Sequence, residues 1–175
     1  MRKIFFRCLV ISLSFLNAAI PLSQASTRAQ AEEAFRKLQS LEGNWQGKDE
    51  QGKPAKSSFV PVASATAVME TLTLPGMDEM LTLYSVDANS VVLVHYCPTN
   101  NQPRMRAFPP AGDLRELVFE FSGAGNLPDV AAGHEHKLVI QFEDRDHITE
   151  RWTWRKSGKD TEMVFHLVRT PATSK

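Results

Sequence analysis

The chain of 175 residues is poor in cysteine, carries no excess of charge of either sign and has no apolar run long enough to cross a membrane. Its two cysteines are Cys8 and Cys97. Twenty Lys and Arg balance twenty Asp and Glu, which excludes the basic surplus of nonspecific nucleic-acid binding. The most apolar stretch, Cys8 to Ile20, is shorter than the roughly 20 residues needed to span a bilayer and is interrupted by Ser12, Ser14 and Asn17. An integral membrane protein held by a helix is not expected.

What is present at the N-terminus is an address. Arg2, Lys3 and Arg7 form a positive segment, an apolar stretch follows, and Ser23-Gln24-Ala25 places small residues where a signal peptidase reads them. The expectation is a cleaved signal peptide over 1–25 and one domain over 26–175, exported to the periplasm or the extracellular space. Arg7 directly before Cys8 argues against lipidation. Cleavage leaves 17 basic against 20 acidic residues and Cys97 as the single thiol, so no intrachain disulfide forms. Core burial must then hold the fold, which about 150 residues can supply. A lone thiol in an exported chain is expected to be buried.

From Thr27 to Leu41 the apolar residues Ala31, Ala34, Phe35, Leu38 and Leu41 recur at helical spacing. After Gly43 the pattern changes to short β-like runs: 44–48, 57–62, 67–74, 79–86, 90–97, 104–108, 116–122, 136–143, 148–156 and 161–169. Gly, Pro, Asn and Asp punctuate them, and connections this short make sequential strands antiparallel neighbours. Ten short strands leave too many edges for an open sheet. The expected fold is therefore all-β: a roughly ten-stranded antiparallel up-and-down β-barrel with one N-terminal helix, a sandwich being the alternative. The stretches 98–103 and 123–133 break the rhythm and are placed as loops at a barrel mouth.

The helix followed by Gly43-Asn44-Trp45 resembles the entry to the calycin superfamily, the lipocalins and their relatives. That resemblance implies a tryptophan, Trp45, closing one end of the barrel with an arginine of the last strand, Arg169, across its face. The pair is structural. The longer spelling Gly43-x-Trp45-x-Gly47 is similar to nitrobindin-type haem barrels. With His95-Tyr96-Cys97, the run 101–105 and Gly133-His134-Glu135-His136 it also resembles poorly characterised bacterial secreted lipocalin-like proteins. The lipocalin disulfide and the Thr-Asp-Tyr element are missing.

Inside such a barrel, alternation assigns candidate ligand contacts. Extending the face of Leu138, Ile140 and Phe142 backwards turns His136 and His134 inward. In the fifth run Val91, Leu93, His95 and Cys97 share one face and Val92, Val94 and Tyr96 the other, and the apolar pattern leaves open which is inner. His95, Arg104, His136 and Glu70 are the candidate ligand-binding residues. Arg104 and Arg106 share a face with Phe108, and an arginine suits a carboxylate. An inward Glu70 is expected to pair with an arginine, since a lone buried charge is costly. His95, Cys97, His134 and His136 are the ligand types zinc prefers, with Glu70 or Glu150 as carboxylate partners. Cys97 beside a histidine also permits a nucleophilic pair. His166 is where the haem-barrel resemblance would put an axial ligand, although Met163, Phe165 and Leu167 form the more convincing core face. Trp152 and Trp154 share a face with Glu150 and are expected as core or cavity wall.

The expected function is an exported small-molecule-binding protein holding a partly apolar ligand inside the barrel. No cofactor is assumed. The alternatives are a metal protein or enzyme built on the His/Cys residues, and an envelope domain with a filled core and no ligand.

Overall fold

The computed structural model describes residues 26–171. The expected signal peptide, 1–25, lies outside the described residues.

One helix, α1 (Arg28–Gln39), is followed by ten strands: β1 (Gly43–Asp49), β2 (Pro54–Val62), β3 (Ala67–Thr73), β4 (Met80–Asp87), β5 (Ser90–Tyr96), β6 (Gln102–Ala107), β7 (Glu116–Gly125), β8 (His134–Phe142), β9 (His147–Lys156) and β10 (Lys159–Arg169). Each strand pairs antiparallel with its sequence neighbours, and β1 pairs with β10 to close the barrel. All ten expected strands are present. β6 and β8 start two residues early and β7 runs three residues further, so both mouth loops are shorter than the sequence suggested.

Strand alternation builds the interior. Trp45, Phe59, Val68, Tyr84, Val91, Leu93, Met105, Leu117, Phe119, Leu138, Ile140, Ile148 and Leu167 point inward and are buried. In an antiparallel barrel the turns alternate between its two ends. The turns after β2, β4, β6 and β8 therefore share one end with α1, and the turns after β1, β3, β5, β7 and β9 share the other.

Helix α1 plugs the first end. Thr27 caps it in a reciprocal pair with Gln30, and Arg36 and Lys37 lie in its last turn, where positive charge suits the helix dipole. Ala31, Ala34, Phe35 and Leu38 form its buried face. Gln39 Nε2 donates to the Ala65 carbonyl in the β2–β3 turn, and Asn89 in the β4–β5 turn donates to the Ser26 carbonyl.

Closure is concentrated around Trp45. The Arg169 guanidinium lies 4.3 Å from the indole centroid and donates to the carbonyls of Ser40, Leu41 and Glu42, at 2.9, 3.4 and 2.6 Å. It also bonds the Arg145 carbonyl and Asp146. Trp45 Nε1 donates to the Leu41 carbonyl at 2.8 Å. One side chain thus gathers the helix exit, the first strand, the β8–β9 turn and the last strand. Gly47 has a separate reason to be glycine: a Cβ there would collide with the His166 carbonyl on β10.

Replacing Arg169 with Met keeps an apolar stem but removes the cation and its donors. The expected loss is about 2–4 kcal/mol, from one cation–π contact and several charge-assisted hydrogen bonds. Urea denaturation would measure it, and a loss below about 0.5 kcal/mol would show that closure does not depend on this residue.

Candidate functional site

At the end opposite the helix the barrel is not filled. A cavity of about 330 Å³ is lined by Leu72, Met77, Met80, His95, Cys97, Pro98, Thr99, Glu135, Trp152, Trp154, Met163 and Phe165, together with Leu74 and Thr161. The wall is overwhelmingly apolar, and no Lys or Arg belongs to it. Both mouth loops lie at this end: Asn101 Nδ2 donates to the Gly133 carbonyl at 2.9 Å, and Asn126 Nδ2 to the Asn100 carbonyl. Gly133 lies so close to Trp154 that a Cβ would overlap the indole.

His95 comes from β5, whose inner face is now decided: Val91, Leu93 and His95 are buried within the barrel. Its ring lies 4.7 Å from that of Trp152, and Nδ1 is 2.9 Å from Thr82 Oγ1. Nε2 is buried with no protein partner. Burial lowers the imidazole pKa to about 4, so the ring is neutral at ordinary pH.

Below the cavity floor is a buried polar cluster. Glu70 accepts from Ser57 Oγ at 2.9 Å and Tyr84 Oη at 2.6 Å. Glu150 accepts from Trp152 Nε1 at 3.2 Å. Glu150 Oε1 has no partner. Desolvation raises both groups, and Glu150 is pushed well above its ordinary value by burial and by the charge of Glu70. The two carboxyls therefore titrate as a pair rather than singly. Thr82 Oγ1 and His95 Nδ1 share one hydrogen bond beside this cluster, and His95 Nε2 is left without a protein partner.

The second polar group on the wall, Glu135, has no counterpart among the expected site residues. Glu135 pairs with Trp154 and Lys137 with Thr153, so His136 is an extra residue in β8, a β-bulge. The bulge breaks the alternation that would have turned His134 and His136 inward. Glu135 takes the inward place beside Trp154, with Oε2 buried and unpartnered. Desolvation raises its pKa to about 7.

The two histidines lie outside the cavity wall, where their rings pack on Phe121 at 4.6 and 5.1 Å. Arg155, held by Asp160 at 2.6 and 2.7 Å, donates to His136 Nε2. His136 Nδ1 is 3.1 Å from His134 Nε2, and His134 Nδ1 is 2.8 Å from the Ala132 carbonyl. Donated in that direction, the chain uses every ring nitrogen and leaves no lone pair for a metal. His136 is held below its ordinary value first by desolvation and then by Arg155 and His134.

The structure therefore separates the expected four-residue metal set, leaving only His95 and Cys97 on the cavity. Among the described residues no three His, Cys, Asp or Glu side chains converge, whereas a structural zinc site uses four ligands. Cys97, expected to be buried, is half-buried on the cavity wall.

Arg104 is exposed on the outer face because its neighbours Met105 and Ala107 turn inward. Arg106, on the same outer face, pairs with Asp87. Glu70 is inside, but its partners are Ser57, Tyr84 and Glu150 rather than an arginine. His166 faces outward, with Nδ1 2.9 Å from Thr149 Oγ1, while Phe165 and Leu167 are core. Trp152 and Trp154 are cavity wall, as expected.

A larger depression of about 680 Å³ by the helix end is lined by Lys37, Asp113, Arg115, Asp144 and Arg145. Its charges are of both signs, and no buried unpartnered polar atom faces it, so it is a solvated groove. No protein-family model and no curated protein matches the sequence. The closed ten-stranded barrel with its Trp45–Arg169 pair is compatible with a calycin-like architecture, without being particular to it.

Buried titratable groups make stability depend on pH. The raised Glu135 contributes stability that is fully present below its ordinary value of 4.5 and is lost as pH rises through about 7. The lowered His95 does the reverse: its contribution is full above 6.5 and is lost as pH falls through about 4. Relative to the native chain, Glu135→Gln should gain about 3 kcal/mol between about pH 4.5 and pH 8. Urea denaturation at both pH values measures this, and a difference that does not change with pH would show that Glu135 titrates normally.

Proposed function

We propose that this protein binds a small, mainly apolar molecule in the cavity at the mouth of the barrel, with the ligand's polar end directed at His95 and Glu135. One observation carries the reading: an apolar cavity of about 330 Å³ in an otherwise filled interior, with two buried polar atoms on or beside its wall lacking protein partners, His95 Nε2 and Glu135 Oε2. Buried polar atoms are normally satisfied, and an apolar pocket with a few convergent polar groups is the usual form of a ligand site.

The site differs from the one expected in two respects. The ligand occupies one end of the barrel, because aromatic residues and the Glu70–Glu150 cluster fill the rest. Its polar contacts are His95 and Glu135, not Arg104 or His136. Export through a cleaved signal peptide remains part of the proposal and is supported by the composition of residues 1–25 alone.

N-phenyl-1-naphthylamine, a neutral dye whose fluorescence rises in apolar surroundings, tests the reading. The native chain should enhance its emission saturably with one site per chain. Met163→Trp, which fills the cavity from β10, should weaken binding by about ten-fold or more with the β-sheet circular dichroism unchanged. Absence of saturable binding, or binding indifferent to Met163→Trp, would overturn the cavity as the site.

A further inference from the structure

Resting on the cavity-binding reading, we propose that the ligand is an amphiphilic organic cation, an alkyl- or arylammonium whose nitrogen is held by Glu135 among the indoles of Trp152 and Trp154.

Three features of the wall point the same way. Its one carboxyl, Glu135, has Oε2 buried and unpartnered, and no Lys or Arg faces it. His95 Nε2 is a second buried polar atom with no protein partner. The side chains around these atoms are Trp152, Trp154 and Phe165, whose ring faces attract cations, and Met77, Met80 and Met163, whose sulfurs are polarizable. A buried carboxyl with no Lys or Arg opposite it, in a wall of aromatic and sulfur-bearing side chains whose only hydroxyls are those of Thr99 and Thr161, suits a positively charged donor. A fatty carboxylate would meet a carboxylate and the negative faces of two indoles, with no guanidinium or ammonium to pair with. A neutral alcohol would gain the apolar contact and one hydrogen bond to these groups, but not the attraction between charges.

The ligand also supplies what Glu135 lacks. Without a cation, ionising this carboxyl in an apolar wall is costly. The other titratable groups on the cavity wall are His95, which burial keeps neutral, and the Cys97 thiol. Behind it are His134, His136 and Arg155, the last paired with Asp160. Desolvation alone sets its raised pKa near 7. Cation binding should therefore strengthen as pH rises through about 7 and weaken by about ten-fold per unit below it.

The test is displacement of N-phenyl-1-naphthylamine by n-octylammonium, n-octanol and octanoate, which share an apolar chain and differ in their heads. At pH 8 octylammonium should bind at least about ten-fold tighter than the other two. Glu135→Gln should weaken octylammonium by about ten-fold or more and bring it to the level of octanol, with the β-sheet circular dichroism unchanged as the report that the variant folds. Octanoate or octanol binding as tightly as octylammonium would overturn the cation assignment. So would an ammonium preference that survives Glu135→Gln. If the dye binds and none of the three displaces it, the assignment falls while the cavity reading stands. If the dye itself does not bind, both fall.

Discussion

Closure of the barrel between its first and last strands is the constraint on which everything else rests. Ten short antiparallel strands have two edges until β1 meets β10, and the seam is made by Trp45, Gly47 and Arg169. Gly47 lets the two backbones approach, while the Arg169 guanidinium covers the indole and gathers carbonyls from the helix exit. A cation placed between an aromatic face and a set of carbonyl oxygens satisfies its charge without a single dominant ion pair, since Asp146 is only one of its partners. Once the seam is shut, no strand edge remains unpaired and the inner face of every strand has a defined interior to fill.

How the interior is filled sets where function can reside. The helix and the large aromatic residues pack the end nearest Trp45. Midway along the barrel the packing changes character, and Glu70, Tyr84, Ser57, Thr82 and Glu150 form a buried polar layer in which burial raises both carboxyls above their ordinary range. Three of its four carboxyl oxygens accept a hydrogen bond. Thr82 holds His95 by Nδ1, so that Nε2 is the ring nitrogen left without a protein partner. The apolar space above it is bounded by the two tryptophans and closed at the rim by loops that bond to each other.

The β-bulge at His136 shows how one additional residue changes the chemistry of a site. Without it, alternation would turn two histidines toward the cavity; with it, a carboxyl faces the cavity and the histidines are drawn into a chain of hydrogen bonds ending at Arg155 and Asp160. The bulge exchanges an imidazole pair for a single unpartnered carboxyl on the cavity wall. Glu135 then carries an electrostatic cost in the empty protein that a bound cation would offset.

Much of this protein was determined by its sequence alone. The strand count, the antiparallel order, the N-terminal helix and the core face of β10 follow from alternation and turn residues, because these are local or nearest-neighbour properties, whereas the Trp45–Arg169 pair was implied only by the resemblance that the Gly43-x-Trp45 motif carries. Tertiary structure decided the inner face of β5, since Val91 and Val92 are equally apolar and only packing distinguishes them. It also decided that Arg104 is outside, because Met105 and Ala107 occupy the interior. Most consequentially, it decided that Glu135 rather than His136 faces the cavity. A bulge is a mismatch between two paired strands, so no pattern within β8 reveals it; the register against Trp154 on β9 exists only after the strands have met.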